Sequence, residues 1–352
     1  MNAQTDIERA RFNMVEQQIR TWEVLDQQVL DLLFEVRRED FVVAEYRSLA
    51  FVDMEIPIGK GERMLTPKLE ARMLQELAVL PGDRILEVGT GSGYLTALLA
   101  RRGAHVVIAA RNASTSEEAC KTIGAQTGAT LDHLPLDLSN LESVVASTAR
   151  LKELAQGRAL DILVANAGVW PKAYAESAQG HEIAFATNTL GHHVLVRRLL
   201  DLGVLQKARV VVLTGDIYIR TSECTSDFKY DSSGGGGLAY SRSKLGNIWF
   251  SAELQRRYPD LEVCAVHPGV IASGLGGKVT GFGAFMQRLM MLDVERGAQT
   301  PLWCATQPGV ERGAYYHNTM GRLALSGKDP AASAAEATKL WAQLEELSSA
   351  FR

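Results

Sequence analysis

The sequence predicts an α/β fold built on a doubly wound parallel sheet, with a helical extension at the N-terminus. From residue 84 onward, short apolar runs of strand length alternate with segments of helix length. A strand, helix, strand repeat is typical of βαβ units, whose strands lie parallel in one sheet. The chain has 352 residues, and one average domain takes roughly 150, so the length leaves room for a large domain and an extension.

Composition and charge narrow the class of protein. Apolar residues make up 46% of the chain and charged residues 22%, which is ordinary for a folded protein and excludes disorder and collagen. The net charge of −4 offers no basic field for a phosphate backbone, so we expect no nucleic-acid partner. A charged N-terminus and the lack of any long apolar run predict a cytoplasmic protein with no membrane partner. The four cysteines lie far apart, so we expect free thiols and no metal.

Residues 1–80 are predicted to be helical with an extended insertion. Four apolar residues recur at helical spacing and predict one buried helix face: Val29, Leu30, Leu33 and Phe34. Residues 44–58 predict strand and loop. Thr66 and Pro67 predict an N-cap and the first residue of a helix that runs to Leu77.

The region that follows supplies the sheet. Its strands are predicted at 84–88, 105–109, 131–136, 160–165, 209–213 and 261–266. Helices are predicted at 141–154, 181–201 and 240–258. The tract from Ser232 to Gly237 contains four consecutive glycines and predicts a flexible loop, a mobile flap near a site.

A glycine turn after the first of these strands is the first candidate site. Gly89, Gly91 and Gly93 alternate with Thr and Ser and precede a predicted helix, which is where a doubly wound sheet binds a nucleotide. The alternative is a tight turn without a ligand. The next strand ends at Arg111, where a ribose site would place a carboxylate. A guanidinium suits a 2′-phosphate and favours NADP(H) over NAD and S-adenosylmethionine, unless Arg111 is a plain surface residue.

The N-terminal part of the chain, to about residue 104, resembles the protein-L-isoaspartate O-methyltransferase family. Three motifs carry the resemblance: Arg11-Phe-Asn-Met-Val-Glu-Gln-Gln-Ile19, Ile56-Pro-Ile-Gly-Lys-Gly61 and Leu86-Glu-Val-Gly-Thr-Gly-Ser-Gly-Tyr-Leu95. The last one is similar to that family's S-adenosylmethionine loop. Where the family has a catalytic Ser, this chain has Leu65.

From about residue 103 the chain resembles short-chain dehydrogenases/reductases, near their retinol-dehydrogenase-like branch. The matching motifs are Asn166-Ala-Gly168, Asn188 in Asn-Thr-Leu-Gly, Tyr240-Ser-Arg-Ser-Lys244 and His267-Pro-Gly269. The two resemblances together indicate a fusion. They predict residues 1–80 as a methyltransferase-like extension and residues 81–352 as a Rossmann-like dehydrogenase domain whose first βα unit is methyltransferase-like.

The second resemblance implies the chemistry. Tyr240 would be the general acid/base, and Lys244, four residues on and so on the same helix face, would lower the pKa of the phenol. Asn188 would hold a relay water. The implied cofactor is NADP, and its contacts, besides the glycine turn, Arg111, Tyr240 and Lys244, would be Asp137, Leu138, Asn166, Gly168, Pro268 and Gly269. The implied substrate is a hydrophobic ketone or aldehyde, covered by an apolar lid at residues 274–292.

One departure bears on the mechanism. The usual Ser that binds the substrate carbonyl falls on Gly215 or Asp216, depending on register, and Thr214 carries the nearest hydroxyl. Two other functions therefore stay open: an S-adenosylmethionine-dependent methyltransferase-like protein and a non-catalytic nucleotide-binding protein. The sequence also leaves a homo-oligomer open.

Overall fold

The computed structural model describes residues 3–59, 62–88, 90–231, 233–269 and 294–352. It divides the chain into two compact units, Met1–Pro135 and Leu136–Arg352. Each unit contains a parallel sheet with flanking helices, so the predicted α/β fold is confirmed. The boundary predicted between residues 80 and 81 follows the two sequence patterns and stays a prediction.

The first unit combines a largely helical N-terminal part with a three-stranded parallel sheet. Its helices are α1 Ala3–Asn13, α2 Gln27–Glu35, α3 Pro67–Leu77, α4 Tyr94–Arg101 and α5 Ala113–Thr127. Its strands are β1 Ile56–Gly59, β2 Glu62–Met64, β3 Arg84–Val88, β4 His105–Ala110 and β5 Asp132–Pro135. Strands β1 and β2 form an antiparallel hairpin. The sheet has the order β3-β4-β5, with all strands parallel.

Local sequence signals set most of the helix ends in this unit. The Thr66 hydroxyl accepts from the N–H of Leu69 at 3.4 Å, and α3 runs from Pro67 to Leu77 as predicted. Val29, Leu30 and Leu33 are buried as expected, but Phe34 is 37% exposed. That part of the prediction is wrong, because one residue turns a helix by about 100° and carries Phe34 past the edge of the buried face.

The segment predicted as strand and loop starts differently. Residues Ala44–Leu49 form a short 3-10 helix, and only β1, at the end of the segment, is extended. The strand prediction for 44–49 is therefore wrong.

The second unit has a five-stranded sheet. Its strands are β6 Leu160–Ala165, β7 Leu205–Leu213, β8 Glu262–His267, β9 Tyr315–His317 and β10 Gly321–Leu323. Its helices are α6 Leu141–Ala155, α7 Ile183–Phe185, α8 Gly191–Asp201, α9 Ser233–Arg257, α10 Val294–Thr306 and α11 Ala334–Leu347. Strands β6 to β9 are parallel neighbours in chain order, and β10 pairs antiparallel with β9. The predicted strands are confirmed, although β7 begins earlier, at Leu205.

The glycine tract belongs to a helix, so its prediction as a flexible loop is wrong. Helix α9 starts at Ser233 and includes all four glycines. A Cβ on Gly236 would overlap the carbonyl oxygen of Pro171, and a Cβ on Gly235 would overlap the side chain of Tyr230. Only glycine, which has no side chain, allows this close packing against the two neighbours. The packing offsets the low helix propensity of glycine.

The core of the second unit joins the sheet to helix α10. Buried apolar residues of β7 and β8 pack with those of α10 and β9, among them Val211, Leu213, Val266, Cys304 and Tyr316. All four cysteines are free thiols. Within the described part of the chain, no helix combines the length and apolarity needed to cross a bilayer.

Candidate active site

Helix α9 brings Tyr240 and Lys244 together at the end of strand β7. The Lys244 Nζ lies 5.4 Å from the centroid of the Tyr240 ring. It donates to the carbonyl oxygen of Leu213 at 3.1 Å, and the side-chain amide of Asn247 donates to the same oxygen at 2.9 Å. In return, the Thr214 hydroxyl donates to the carbonyl oxygen of Lys244 at 2.7 Å. These bonds fix the helix, and with it the predicted acid/base pair, to the end of the sheet.

Burial controls the protonation of both groups. It raises the pKa of Tyr240 to about 12 and lowers the pKa of Lys244 to about 8, because removing water disfavours the charged form of each. The sequence predicted that Lys244 would lower the pKa of the phenol. In the structure, loss of water raises the pKa of the phenol, and the expected effect of the Lys244 charge stays a prediction. At neutral pH Tyr240 is therefore a protonated phenol.

Asn188 lies in a buried π-helical turn, Ala186–Leu190, ahead of α8. Its amide oxygen accepts from the N–H of Val169 at 2.7 Å, and its amide nitrogen donates to the Val169 carbonyl at 3.0 Å. The same nitrogen donates to the Ser243 hydroxyl at 2.9 Å. Its backbone carbonyl accepts from His192 Nδ1 at 2.9 Å. The Asn188 side chain thus holds the segment after β6 against α9, and its expected role with a relay water stays a prediction.

The segment after β6 lies beside these residues. A Cβ on Gly168 would be 3.2 Å from the Asn188 amide oxygen and 3.8 Å from Lys244 Nζ, so the backbone passes close to both. Asn166 is exposed one residue beyond the strand. At the end of β8, Gly269 has a φ of +99°, which favours glycine after Pro268. Gly168, Asn188 and Lys244 therefore lie close together, and the cofactor and relay roles expected of them stay predictions.

Asp137 and Leu138 precede α6. The Asp137 carboxylate accepts from the N–H and hydroxyl of Ser139 at 2.9 and 2.7 Å. Leu138 is buried, and a Cβ on Gly191 would overlap its carbonyl oxygen. The close approach of Leu138 to the start of α8 fixes this turn, and the cofactor contact expected of both residues stays a prediction.

Gly215, one of the two candidates for the position of the family's usual Ser, faces Lys244. A Cβ on Gly215 would lie 3.8 Å from Lys244 Cγ and 4.0 Å from His267 Nδ1. Its backbone is extended, with φ −169° and ψ 140°, so any residue could occupy it. The buried Thr214 hydroxyl is bonded to the Lys244 carbonyl. Gly215, the residue that faces Lys244 after β7, therefore has space for a Cβ but carries no hydroxyl.

Asp216 is bonded to strand β9. Its carboxylate accepts from the Tyr315 hydroxyl at 2.6 Å and from His317 Nε2 at 2.8 Å. Burial is the larger cause, and the bond to Asp216 the next, of a strongly raised pKa at Tyr315. The pKa of Tyr240 responds to burial alone. The Asp216 carboxylate is thus held by hydrogen bonds from Tyr315 and His317 on β9.

The polar atoms of Asp216, His267 and His317 lie within 4.8 Å of one another, as metal ligands would. The hydrogen bonds oppose that use. His317 Nδ1 accepts from the backbone N–H of Thr319 at 3.1 Å and of Met320 at 3.3 Å, and His267 Nδ1 accepts from the N–H of Asp216 at 3.3 Å. With Nδ1 accepting, each ring presents an N–H at Nε2, the atom that a metal would need bare. The geometry fits a hydrogen-bond network.

The glycine turn lies in the first unit, before α4. Gly91 and Gly93 have φ values of +57° and +84°, and Gly93 is the N-cap residue of α4. Gly89 lies outside the described residues. Within those described, the buried hydroxyl of Thr90 has no hydrogen-bond partner, which fits a turn that holds a polar ligand. Arg111 is exposed directly after β4, and its expected contact with a 2′-phosphate stays a prediction.

Sequence reasoning missed three residues of the site. Trp170 stacks on Tyr240 with ring centroids 4.5 Å apart and planes at 10°, and Tyr315 and His317 bind Asp216. The only available signal for the last two was their alternation in Tyr315-Tyr-His317, too short to predict a strand. The predicted lid at 274–292 lies outside the described residues.

Comparisons with known proteins identify the family of the chain. A family model described as short chain dehydrogenase matches residues 88–281, more than half of the chain. A model described as Protein-L-isoaspartate(D-aspartate) O-methyltransferase matches residues 9–141. The chain belongs to the short-chain dehydrogenase family and carries a methyltransferase-like N-terminal segment. The predicted fusion is confirmed, and the two matches overlap from β3 to the first residue of α6.

Individual relatives support the family and the branch. Retinol dehydrogenase 14 of Mus musculus is 33% identical over 263 residues, which cover 66% of this chain and 76% of that protein. Retinol dehydrogenase 12 of Homo sapiens is 36% identical over 242 residues, with the same coverage of each chain. Among solved structures, a putative uncharacterized protein from Mycobacterium Paratuberculosis has a TM-score of 0.54 at 28% identity, and covers 77% of this chain and 96% of its own. The protein is thus an oxidoreductase similar to retinol dehydrogenases.

Replacing Lys244 with Met is expected to stabilise the protein at neutral pH. The pKa of Lys244 falls from 10.5 to about 8 on folding, so below pH 8 the folded state holds a disfavoured buried ammonium. That cost disappears as the pH rises from about 8 to above 10.5. Lys244→Met should therefore gain up to about 3 kcal/mol at pH 7, and the gain should vanish above pH 10.5.

Urea unfolding of both proteins across this pH range measures the difference. The exposed Lys339→Met is the control and should show no pH-dependent gain, since its side chain is 77% exposed. A gain from Lys244→Met that is constant with pH would show that the lysine is not strained by burial.

Proposed function

We propose that the protein is an NADP(H)-dependent oxidoreductase that interconverts a hydrophobic ketone or aldehyde with its alcohol. Tyr240 is the general acid/base and Lys244 assists it. The observation that carries the proposal is the pairing of half-buried Tyr240 with buried Lys244, which is fixed at the end of β7 through the Leu213 carbonyl. Membership of the short-chain dehydrogenase family and relatives that are named retinol dehydrogenases support the same reaction class.

The protonation of Tyr240 suits reduction at neutral pH. A carbonyl that becomes an alcohol needs one proton on its oxygen, and a phenol with a pKa of about 12 carries that proton throughout the neutral range. Lys244, with a pKa of about 8, is mostly charged at pH 7 and stabilises the phenolate as the proton leaves. In the oxidation direction the same phenol must first lose its proton, so we propose that oxidation is favoured only at higher pH.

The proposed cofactor contacts follow the glycine turn and the family motifs. A bound nicotinamide supplies the hydride that the carbonyl carbon receives. Gly89, Gly91 and Gly93 would offer backbone N–H groups to phosphate, and Arg111 would bind the 2′-phosphate. The other contacts that we assign are those to Asp137, Leu138, Asn166, Gly168, Tyr240, Lys244, Pro268 and Gly269. The left-handed backbone of Gly91, Gly93 and Gly269 supports such contacts, because a side chain there would hinder close approach.

The apolar character of the substrate is supported by the aromatic surface beside Tyr240, where Trp170 lies. Residue 188 is assigned to the catalytic set through its place beside Ser243 and Gly168. A cytoplasmic location and a homo-oligomer stay predictions.

Ligand titration separates this function from its alternatives. We expect the purified protein to bind NADPH more tightly than NADH, and to bind S-adenosylmethionine weakly or not at all. Arg111→Ala should lower the affinity for NADPH about tenfold, because one charge-assisted contact to the 2′-phosphate is lost, and should leave NADH unchanged. Lys121→Ala, an exposed change on α5, is the control. Tight binding of S-adenosylmethionine without NADPH would favour the methyltransferase-like reading, and binding of none would favour a non-catalytic protein.

Gly215→Ser is expected to raise the rate of carbonyl reduction. The position accepts a Cβ without a close contact, and a hydroxyl there would add a donor for the substrate carbonyl beside Lys244. Such donors change rates by roughly 100-fold or more where they are native, so we expect a gain in kcat of about tenfold for a newly placed one. Gly215→Ala is the matched control, since it adds the Cβ without the hydroxyl. Equal rates for the Ser and Ala variants would contradict the assignment.

A further inference from the structure

The proposed function leaves one contact of Tyr240 unexplained. The indole of Trp170 lies against the phenol ring almost in parallel, with centroids 4.5 Å apart and planes at 10°. Aromatic pairs are attractive in an offset stack, so this contact is stable and covers one face of the residue to which we assign proton transfer.

The chain on both sides of Trp170 is fixed. On the N-terminal side, Val169 is bonded through its N–H and its carbonyl to the buried amide of Asn188, at 2.7 and 3.0 Å. On the C-terminal side, the Pro171 carbonyl lies so close to α9 that only glycine fits at position 236. The backbone is therefore fixed on both sides of Trp170, and the indole is in position before any ligand binds.

The glycine tract allows the segment around Trp170 to pack closely against α9. Gly236 admits Pro171, and Gly235 admits the side chain of Tyr230, whose hydroxyl donates to the Ala173 carbonyl at 3.4 Å. Gly237 meets Trp170 itself, since a Cβ there would lie 4.0 Å from Cζ2 of the indole. A four-glycine start is costly for a helix, and here it brings the segment around Trp170 against the turn that leads to Tyr240.

We propose that Trp170 is the specificity-determining wall of the Tyr240 site and selects carbonyl compounds with a flat, conjugated substituent over saturated ones of equal size. This inference rests on the proposed function. A carbonyl that accepts from the phenol starts near the plane of the phenol ring, because the O–H bond lies in that plane. A substituent conjugated to the carbonyl is coplanar with it. When the carbonyl plane is parallel to the phenol ring, such a substituent can lie along the parallel indole, whereas tetrahedral carbons project from the plane and lose the contact.

The test compares two ketones of equal carbon count, acetophenone and cyclohexyl methyl ketone. We expect wild-type protein to show a kcat/KM about tenfold higher for acetophenone, the range that one aromatic stacking contact supplies. Trp170→Ala should bring the ratio near one, and Trp170→Phe should retain most of it. The same ratio in wild type and in Trp170→Ala would overturn the proposal.

A pair of glycine variants tests the placement of Trp170. Gly236→Ala and Gly237→Ala change helix propensity equally, but only the first forces Pro171 to move. We expect Gly236→Ala to lose the preference for acetophenone and Gly237→Ala to keep it. Loss of the preference in neither variant or in both would show that the placement of Pro171 does not control selection.

A measurement without substrate separates this inference from the proposed function. Burial raises the pKa of Tyr240 to about 12, so exposing the phenol should lower it. In protein with 13C-labelled tyrosine rings, with the Tyr240 resonance assigned through Tyr240→Phe, Trp170→Ala should move the Tyr240 titration midpoint towards 10, the ordinary value for tyrosine. If neither ketone is reduced, the proposed function fails. An unchanged Tyr240 titration midpoint in Trp170→Ala would also refute the role of Trp170 as a wall of the site.

Discussion

The carbonyl oxygen of Leu213 is the point on which the arrangement of the site depends. It ends strand β7 and accepts from two side chains of α9, Lys244 and Asn247. The buried Thr214 hydroxyl then donates back to the Lys244 carbonyl. A buried ammonium is costly without a partner, so these bonds allow Lys244 to lie inside the unit. Because α9 is fixed to the strand end at residue 244, Tyr240 one turn earlier is fixed as well.

This anchoring explains the electrostatics of the site. Tyr240 and Lys244 have both lost water, so each is shifted towards its neutral form. Asp216, the nearest strand-end carboxylate along the chain, is bound by Tyr315 and His317 on β9. The protein thus keeps a protonated phenol beside a lysine that can still take up charge near neutral pH. That combination suits an acid that gives up its proton only when negative charge develops on a bound oxygen.

Much of the fold could be predicted, because its signals are local. Strands of four to nine residues appear as apolar runs, and caps such as Thr66 bond only to the following helical turn. The glycine tract was misread because its cause is not local: Gly235 and Gly236 are needed for contact with Tyr230 and with Pro171. The three-residue strand β9 was missed because it is too short to show a period, although its pairing with β8 defines it in the structure.

The candidate site could also be predicted only in part, and again the local features were the predictable ones. The spacing of Tyr240 and Lys244 within one helix was readable, and so were the motifs of the family. The residue that faces Lys244 just after β7 could not be predicted, because a shift of one residue exchanges Gly215 for Asp216 and only the structure fixes the register. Trp170 was also missed, because its contact with Tyr240 joins segments 70 residues apart in sequence.

The most direct measurement of the central claim, that Tyr240 supplies the proton in an NADPH-dependent reduction, is the single-turnover oxidation of bound NADPH by a ketone in wild type and in Tyr240→Phe. Loss of a general acid costs roughly 100-fold or more in rate. We predict such a loss in the variant at saturating NADPH, with the unfolding midpoint unchanged. A variant that oxidises NADPH at the wild-type rate would contradict the account.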